Sequence, residues 1–237
     1  MKILLTRPIE DSQKVANELK KLNIGFVISP LLEIQKKLNV IPDYEKYQAI
    51  ILTSKHAALG LIDTNIKKSM AIYCVGDATS SFIVRLGFLN AVSASGDASD
   101  LTKLAIKNLM PSDGPILYLC GQNANSSTND KLELSGFTVD VSIVYEAKEI
   151  QSLSKTVIKS LKKKEINGVF LYSPRSARIL CNVIKRLNLQ KMSHGLVVYC
   201  LSSAVANEVK NLIWKDVRIA QKPNNVEMLA LVGEYNI

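Results

Sequence analysis

The chain is 237 residues long and 47% hydrophobic, and its 30 lysines and arginines outweigh 21 acids, for a formal charge of +9. That length suits one large domain or two of ordinary size, and the apolar content is enough for real cores. No apolar run approaches the ~18 residues that cross a bilayer, and Met1-Lys2-Ile3-Leu4-Leu5-Thr6-Arg7 is too short for a secretory leader, so a cytoplasmic protein without membrane contact is expected.

Taken in chain order, nearly continuous apolar runs fall near residues 2–6, 48–53, 71–75, 115–119, 167–172 and 196–201. Buried parallel strands have this character, because both faces of such a sheet are covered. A helical pattern follows each one: 8–22, 54–62, 77–86, 129–135, 174–187 and 203–211. The alternation predicts an α/β architecture with mostly parallel sheets flanked by helices. Ligands of such folds bind outside the carboxyl ends of the strands, so the loops that follow the strands are where chemistry belongs.

The chain also repeats itself. Ile3-Leu4-Leu5-Thr6-Arg7-Pro8 is echoed by Ile116-Leu117-Tyr118-Leu119-Cys120-Gly121, and Leu32-Glu33-Ile34 by Tyr145-Glu146-Ala147. Leu52-Thr53-Ser54-Lys55 is answered by Leu171-Tyr172-Ser173-Pro174, and Tyr73-Cys74-Val75-Gly76-Asp77-Ala78-Thr79 by Tyr199-Cys200-Leu201-Ser202-Ser203-Ala204-Val205. The echoes keep their order while the offset drifts, as a duplication with loop insertions would. Two similar lobes are expected, with a binding cleft between them.

Several post-strand loops carry cations where a helix should begin. Ser54 and Ser173 are suited to N-cap positions, with Pro174 at the first helical position. Arg7, Lys55, Arg175 and Arg178 then crowd ends that already carry partial positive charge. An anion held there by backbone N–H groups and side chains would explain the arrangement; long side chains swinging into water would explain it equally. Gly76, in Gly76-Asp77-Ala78-Thr79-Ser80, would allow a tight turn or a close ligand approach, with hydroxyls at Thr79 and Ser80. It is not a phosphate-binding P-loop, and no dinucleotide fingerprint occurs anywhere.

Conventional catalytic equipment is missing. His56 and His194 are the two histidines, and neither has a partner at metal-ligand spacing. There is no GxSxG elbow. Cys74, Cys120, Cys181 and Cys200 are far apart and read as small buried hydrophobes. Glu33 and Glu146 hold equivalent points in the two halves and read as exposed acids. Tyr145, at the expected crossing between lobes, is either a proton donor or a packed aromatic.

The charge is local. Residues 151–191 contain ten basic residues and one acid, Glu165, while the rest of the chain is neutral. Lys155, Lys159, Lys162, Lys163 and Lys164 belong to an amphipathic helix with Leu153, Val157, Ile158 and Leu161 as its apolar stripe, which makes the lysines a solvated outer face.

These residues make the chain resemble the uroporphyrinogen-III synthase family along its full length. The resemblance rests on Leu4-Leu5-Thr6-Arg7-Pro8, Thr53-Ser54, Val75-Gly76-Asp77-Ala78-Thr79, Val144-Tyr145-Glu146, Tyr172-Ser173-Pro174 and the segment 222–232. It implies two α/β lobes joined by a two-stranded connector: residues 1–35 with 148–237 in one, 37–145 in the other. It implies cyclisation of hydroxymethylbilane to uroporphyrinogen III in haem biosynthesis, with loss of water and inversion of ring D, and neither cofactor nor metal. By the family pattern Tyr145 is the catalytic donor, and Thr79 and Ser173 face the substrate, whose carboxylates would suit Ser54, Arg7, Gly76 and Arg175. One departure stands out. The second-lobe counterpart of Thr79 is Val205, and Ser202 replaces the usual glycine, so Ser202 or Ser203 would supply any contact there. A monomer is expected, taking its substrate from the preceding pathway enzyme.

Two other readings stay open at this point. A two-lobed protein could hold a polyanion without catalysis, which Val205 would suit. The 151–191 cluster could bind nucleic acid, although Phe170 and Tyr172 are few aromatics for a stacking platform.

Overall fold

The computed structural model describes residues 1–37, 43–62, 64–124 and 126–233. It opens with β1 (Lys2–Leu5), α1 (Ile9–Lys21), β2 (Gly25–Ile28) and β3 (Leu32–Lys36). Next come β4 (Ala49–Leu52), a 3-10 helix over Lys55–Leu61, β5 (Ala71–Cys74), α2 (Asp77–Arg85), β6 (Ala91–Ser93) and α3 (Ala98–Asn108). After them are β7 (Ile116–Gly121), α4 (Ser127–Leu134) and the long β8 (Val139–Glu149). The remainder is α5 (Lys155–Lys162), β9 (Gly168–Leu171), α6 (Pro174–Arg186), α7 (Gln190–Ser193), β10 (Val197–Cys200), α8 (Ser203–Glu208), β11 (Asp216–Ile219) and α9 (Asn225–Gly233). The six apolar runs are six strands, each followed by a helical segment, so the α/β architecture with mostly parallel, helix-flanked sheets holds.

Two compact units result: Met1–Glu33 with Lys148–Ile237, and Ile34–Ala147. The chain leaves the first unit inside β3 and returns to it near the end of β8.

The first unit holds a five-stranded parallel sheet in the order β11-β10-β9-β1-β2. Its central strands, β10, β9 and β1, are apolar on both faces because both faces are covered. Leu4, Val169, Leu171, Val198 and Cys200 point into one core with α5, α6 and α8, while Ile3, Leu5, Phe170 and Tyr199 point into another with α1 and α9. Leu153, just before α5, and Val157 and Leu161 within it bury the apolar stripe, leaving Lys155, Lys159 and Lys162 exposed; Lys163 and Lys164 are exposed as well but lie beyond the helix, which ends at Lys162. The outer-face reading of those lysines therefore stands.

The second unit holds a six-stranded sheet, β3-β8-β7-β4-β5-β6, in which β8, β7, β4, β5 and β6 pair in parallel. Strand alternation again divides the core: Ile50 and Leu52 on one face, Ala49 and Ile51 on the other. All four cysteines are free and buried. Burial pushes the Cys74 and Cys181 thiols up to about 11 and the Cys200 thiol up to about 12, which leaves them inert packing groups.

Two helices differ from expectation. The segment expected over 54–62 is a 3-10 helix rather than an α-helix: Gly60 lies within it, against Val144, and a tight short turn fits that close approach. The helix expected over 203–211 stops at Glu208; beyond it the Val209 carbonyl accepts from the Leu212 backbone N–H at 3.3 Å and from the Trp214 indole at 2.8 Å.

Candidate functional site

Both units turn from strand to helix in the same way. Ser54 Oγ accepts from the His56 backbone N–H at 3.2 Å after β4, and Ser173 Oγ accepts from Ser176 N–H at 3.1 Å after β9. Both serines are N-caps, and Pro174 opens α6 as expected. The next strand–helix turns match as well. Gly76 caps α2 and Ser202 caps α8, both in extended backbone, and the backbone N–H groups of Thr79 and Val205 return to the cap carbonyls at 2.9 and 3.1 Å.

The equivalence explains Val205. Thr79 is 8% exposed and Val205 1% exposed, each the buried residue of a first helical turn. Val205 joins the α5–α6–α8 core. The Thr79 hydroxyl has no hydrogen-bond partner among the described residues, whereas Ser80 Oγ donates to the Ala91 carbonyl at 3.2 Å. Ser202 is half-buried and Ser203 exposed beside it.

Gly76 needs a different explanation from the one its sequence position suggests. Its φ of −139° is ordinary extended backbone, so no tight turn requires glycine there. A Cβ at Gly76 would meet nothing within 4 Å. Only the second reading survives: bare backbone that a ligand could approach closely.

Three of the cations at the helix ends, Arg7, Arg175 and Arg178, are paired with acids. Arg7 Nη2 donates to Asp11 Oδ2 at 3.1 Å, and its guanidinium lies 4.6 Å from the Tyr172 ring centre. Tyr172 donates its hydroxyl to Asn225 Oδ1 at 2.6 Å, and burial pushes its phenol upward against the pull of Arg7. Arg175 Nε donates to Glu149 Oε1 at 3.1 Å, and Arg178 lies 3.9 Å from Glu208. Neither sequence reading foresaw this. The side chains of Arg7, just after β1, and Arg175, at the start of α6, are thereby held in fixed directions.

Tyr145 lies in β8 beside the end of β7. Its ring is 5.8 Å from the His56 ring and its backbone carbonyl accepts from Gln122 N–H at 3.0 Å. The residue is half-buried, and its hydroxyl makes no hydrogen bond to any described residue. Nearby, the Tyr118 hydroxyl is 3.0 Å from Thr53 Oγ1, and burial above all holds the Tyr118 phenol high. The second unit thus brings together Tyr145, His56 and the Ser54 cap; the first brings together Arg7, Tyr172, Asn225 and, at the start of α6, Ser173 and Arg175. Glu33 is exposed, and Glu146 is 4.0 Å from Lys37, as outward acids are. Among the described residues no cluster of histidines, cysteines and acids could hold a metal ion, and no helix is long and apolar enough to cross a membrane.

The chain is similar to known proteins over nearly its whole length. A family model described as uroporphyrinogen-III synthase HemD matches residues 13–230. A uroporphyrinogen-III synthase of Saccharomyces cerevisiae is 26% identical over 228 residues, covering 86% of this chain and 82% of the yeast protein. An uncharacterised protein of Rickettsia prowazekii is 22% identical over 271 residues, covering 94% and 95% of the two chains. Among solved structures, the synthetase of Helicobacter pylori superposes with a TM-score of 0.69 at 18% identity, covering 99% of each chain. A mutant synthase of Thermus thermophilus gives 0.53 at 11% identity over 99% and 98%. At those identities the two structures speak for the fold alone.

Proposed function

The chain belongs to the uroporphyrinogen-III synthase family, and we propose that Tyr145 is the acid with which it releases the hydroxyl group of its substrate. The family match across residues 13–230 is the single observation that carries the reaction: hydroxymethylbilane is cyclised, in tetrapyrrole biosynthesis, to uroporphyrinogen III. The terminal hydroxyl takes a proton and departs as water, leaving a cation that the electron-rich pyrrole stabilises. Ring D attacks through its substituted carbon, the resulting spiro intermediate reopens and recloses with the ring inverted, and the carbon that closes the ring then loses its proton, which restores the acid. Without an enzyme the same molecule closes to the uninverted isomer, so the protein's main task is orientation, which alone can supply several kcal/mol.

Little acid strength is needed for so ready a leaving group. A phenol suffices as a donor. The Tyr145 hydroxyl, uncommitted among the described residues, supports that role. Thr79, with its own hydroxyl unpartnered, and Ser54 and Ser173 are proposed to contact the substrate. Arg7 and Arg175 are proposed to receive its carboxylates, with the bare backbone of Gly76 and the hydroxyls of Ser202 and Ser203 as further donors. A monomer working in the cytoplasm and supplied by the preceding enzyme completes this reading. No cofactor has a role in it.

The experiment is a coupled assay in which hydroxymethylbilane is generated in place and the oxidised porphyrins are separated by isomer. Isomer III in excess over isomer I is expected. Isomer I alone, from a folded protein, would overturn the reaction and return the two-lobed polyanion-binding reading. For the acid, Tyr145→Phe should slow cyclisation about a hundredfold without unfolding the chain. Full activity in that variant removes Tyr145 from the mechanism.

A further inference from the structure

The pairing of β7 with β8 runs in register from Ile116 opposite Val139 to Cys120 opposite Ile143, then slips: Gly121 lies opposite Tyr145. Val144 is the extra residue of a β-bulge. Bulges re-aim side chains, and they recur beside active sites. Here two consecutive side chains are each received by a glycine. A Cβ at Gly60 would stand 2.7 Å from Val144 Cγ1, and a Cβ at Gly121 would stand 2.5 Å from Tyr145 Cζ and 2.8 Å from both Cε2 and Oη.

Those separations are closer than real Cβ atoms approach, and a tyrosine ring cannot fold away as a lysine tip can. Neither glycine has a positive φ, so backbone conformation does not demand glycine at either place. Space does. Val144 is 2% exposed and locked in the core, which fixes the residue just before Tyr145. The ring of Tyr145 then lies against β7 at Gly121, with its hydroxyl uncommitted and the His56 ring 5.8 Å away.

We infer that Gly121, supported by Gly60, is a positioning residue: it is the seat that sets where the Tyr145 hydroxyl stands. The inference rests on Tyr145 being the acid. A displacement of about 1 Å at a reacting group can lower a rate about a hundredfold. A methyl group at Gly121 forces a shift of that order.

The test is Gly121→Ala in the coupled assay, alone and combined with Tyr145→Phe. The single variant should lose about a hundredfold in kcat with KM changed less than about threefold, and its product should shift toward isomer I. In the Tyr145→Phe background the same change should cause no further loss, since the hydroxyl it misplaces is already gone. Wild-type kcat in a folded Gly121→Ala protein overturns the inference, as does a further slowing of the Tyr145→Phe enzyme. The two ideas separate cleanly: an active Tyr145→Phe enzyme removes the acid, whereas a slow Tyr145→Phe beside a fast Gly121→Ala removes only the seat. Should Gly121→Ala fail to fold, Tyr145→Leu with Gly121→Ala must melt as Tyr145→Leu alone does. Continued unfolding would show that the methyl group strikes something other than the ring.

Discussion

The Arg7 guanidinium lies 4.6 Å from the centre of the Tyr172 ring and is tied at 3.1 Å to Asp11, one helical turn further on. An arginine at the end of β1 is therefore aimed by an aromatic from the end of β9, which is itself anchored to Asn225. A planar fork stacked on a ring is a shape that lysine cannot reproduce. If Arg7 binds a substrate carboxylate, Arg7→Lys should raise KM about tenfold with kcat little changed, since a charge-assisted hydrogen bond is worth roughly 1.5–3 kcal/mol. Steady-state kinetics checks this, and a wild-type KM would leave Arg7 with a structural role alone.

Thr79 and Val205 occupy matching positions, and the two should respond in opposite ways. Thr79→Val removes a hydroxyl that has no described partner, so the fold should lose nothing and cyclisation should slow. Val205→Thr places a hydroxyl at a site only 1% exposed within an apolar core, costing about 1–3 kcal/mol without a gain in rate. Melting curves and isomer-resolved turnover on both variants check the pair. A faster Val205→Thr enzyme would mean that the second unit does use a hydroxyl there.

Gly76→Ala separates ligand from fold. Because the backbone is extended and the space around a Cβ is open, alanine should fit without strain; its gain of about 0.4–1 kcal/mol through the unfolded chain is offset by alanine's poorer N-capping, so stability should stay close to wild type. Any loss of activity then reports substrate against that backbone, and a rise in KM is expected. An unchanged KM would remove Gly76 from the binding surface.

The strands that sequence alone picks out are those buried on both faces, where chemistry dictates uninterrupted apolar runs. β2, β6 and β11 escape that reading because they lie at the sheet edges and are only partly buried. α3 left a signal that goes unused: Asp97 accepts from the Ser99 and Asp100 N–H groups and Asp100 reaches back to Asp97, a capping box spelled with aspartate. At the site, the Ser54 and Ser173 caps are legible because capping is local. The pairing of Arg7 with Tyr172, or of Arg175 with Glu149, joins residues distant in sequence. Gly121 reads as the end of a strand, because what a glycine leaves room for is a fact of three dimensions.

The last prediction concerns the start of β4. Asp140 Oδ2 accepts from Lys46 Nζ and from the Tyr47 hydroxyl, both at 2.7 Å, and these partners hold its carboxyl below the ordinary range. A depressed folded pKa means that the carboxylate stabilises the fold at any pH above its unfolded value near ~4. That contribution declines as pH falls below ~4 and is gone once the folded carboxyl has also taken a proton. The lysine is exposed and screened, so the pair contributes little to stability. Asp140→Asn keeps an oxygen for Tyr47 and loses the charge. Its melting temperature should therefore fall slightly below wild type at pH ~7 and converge with it near pH ~2, and added salt should narrow the gap at neutral pH. A gap that stays constant from neutral to acid pH would place the contribution in the neutral Tyr47 hydrogen bond rather than in the charge.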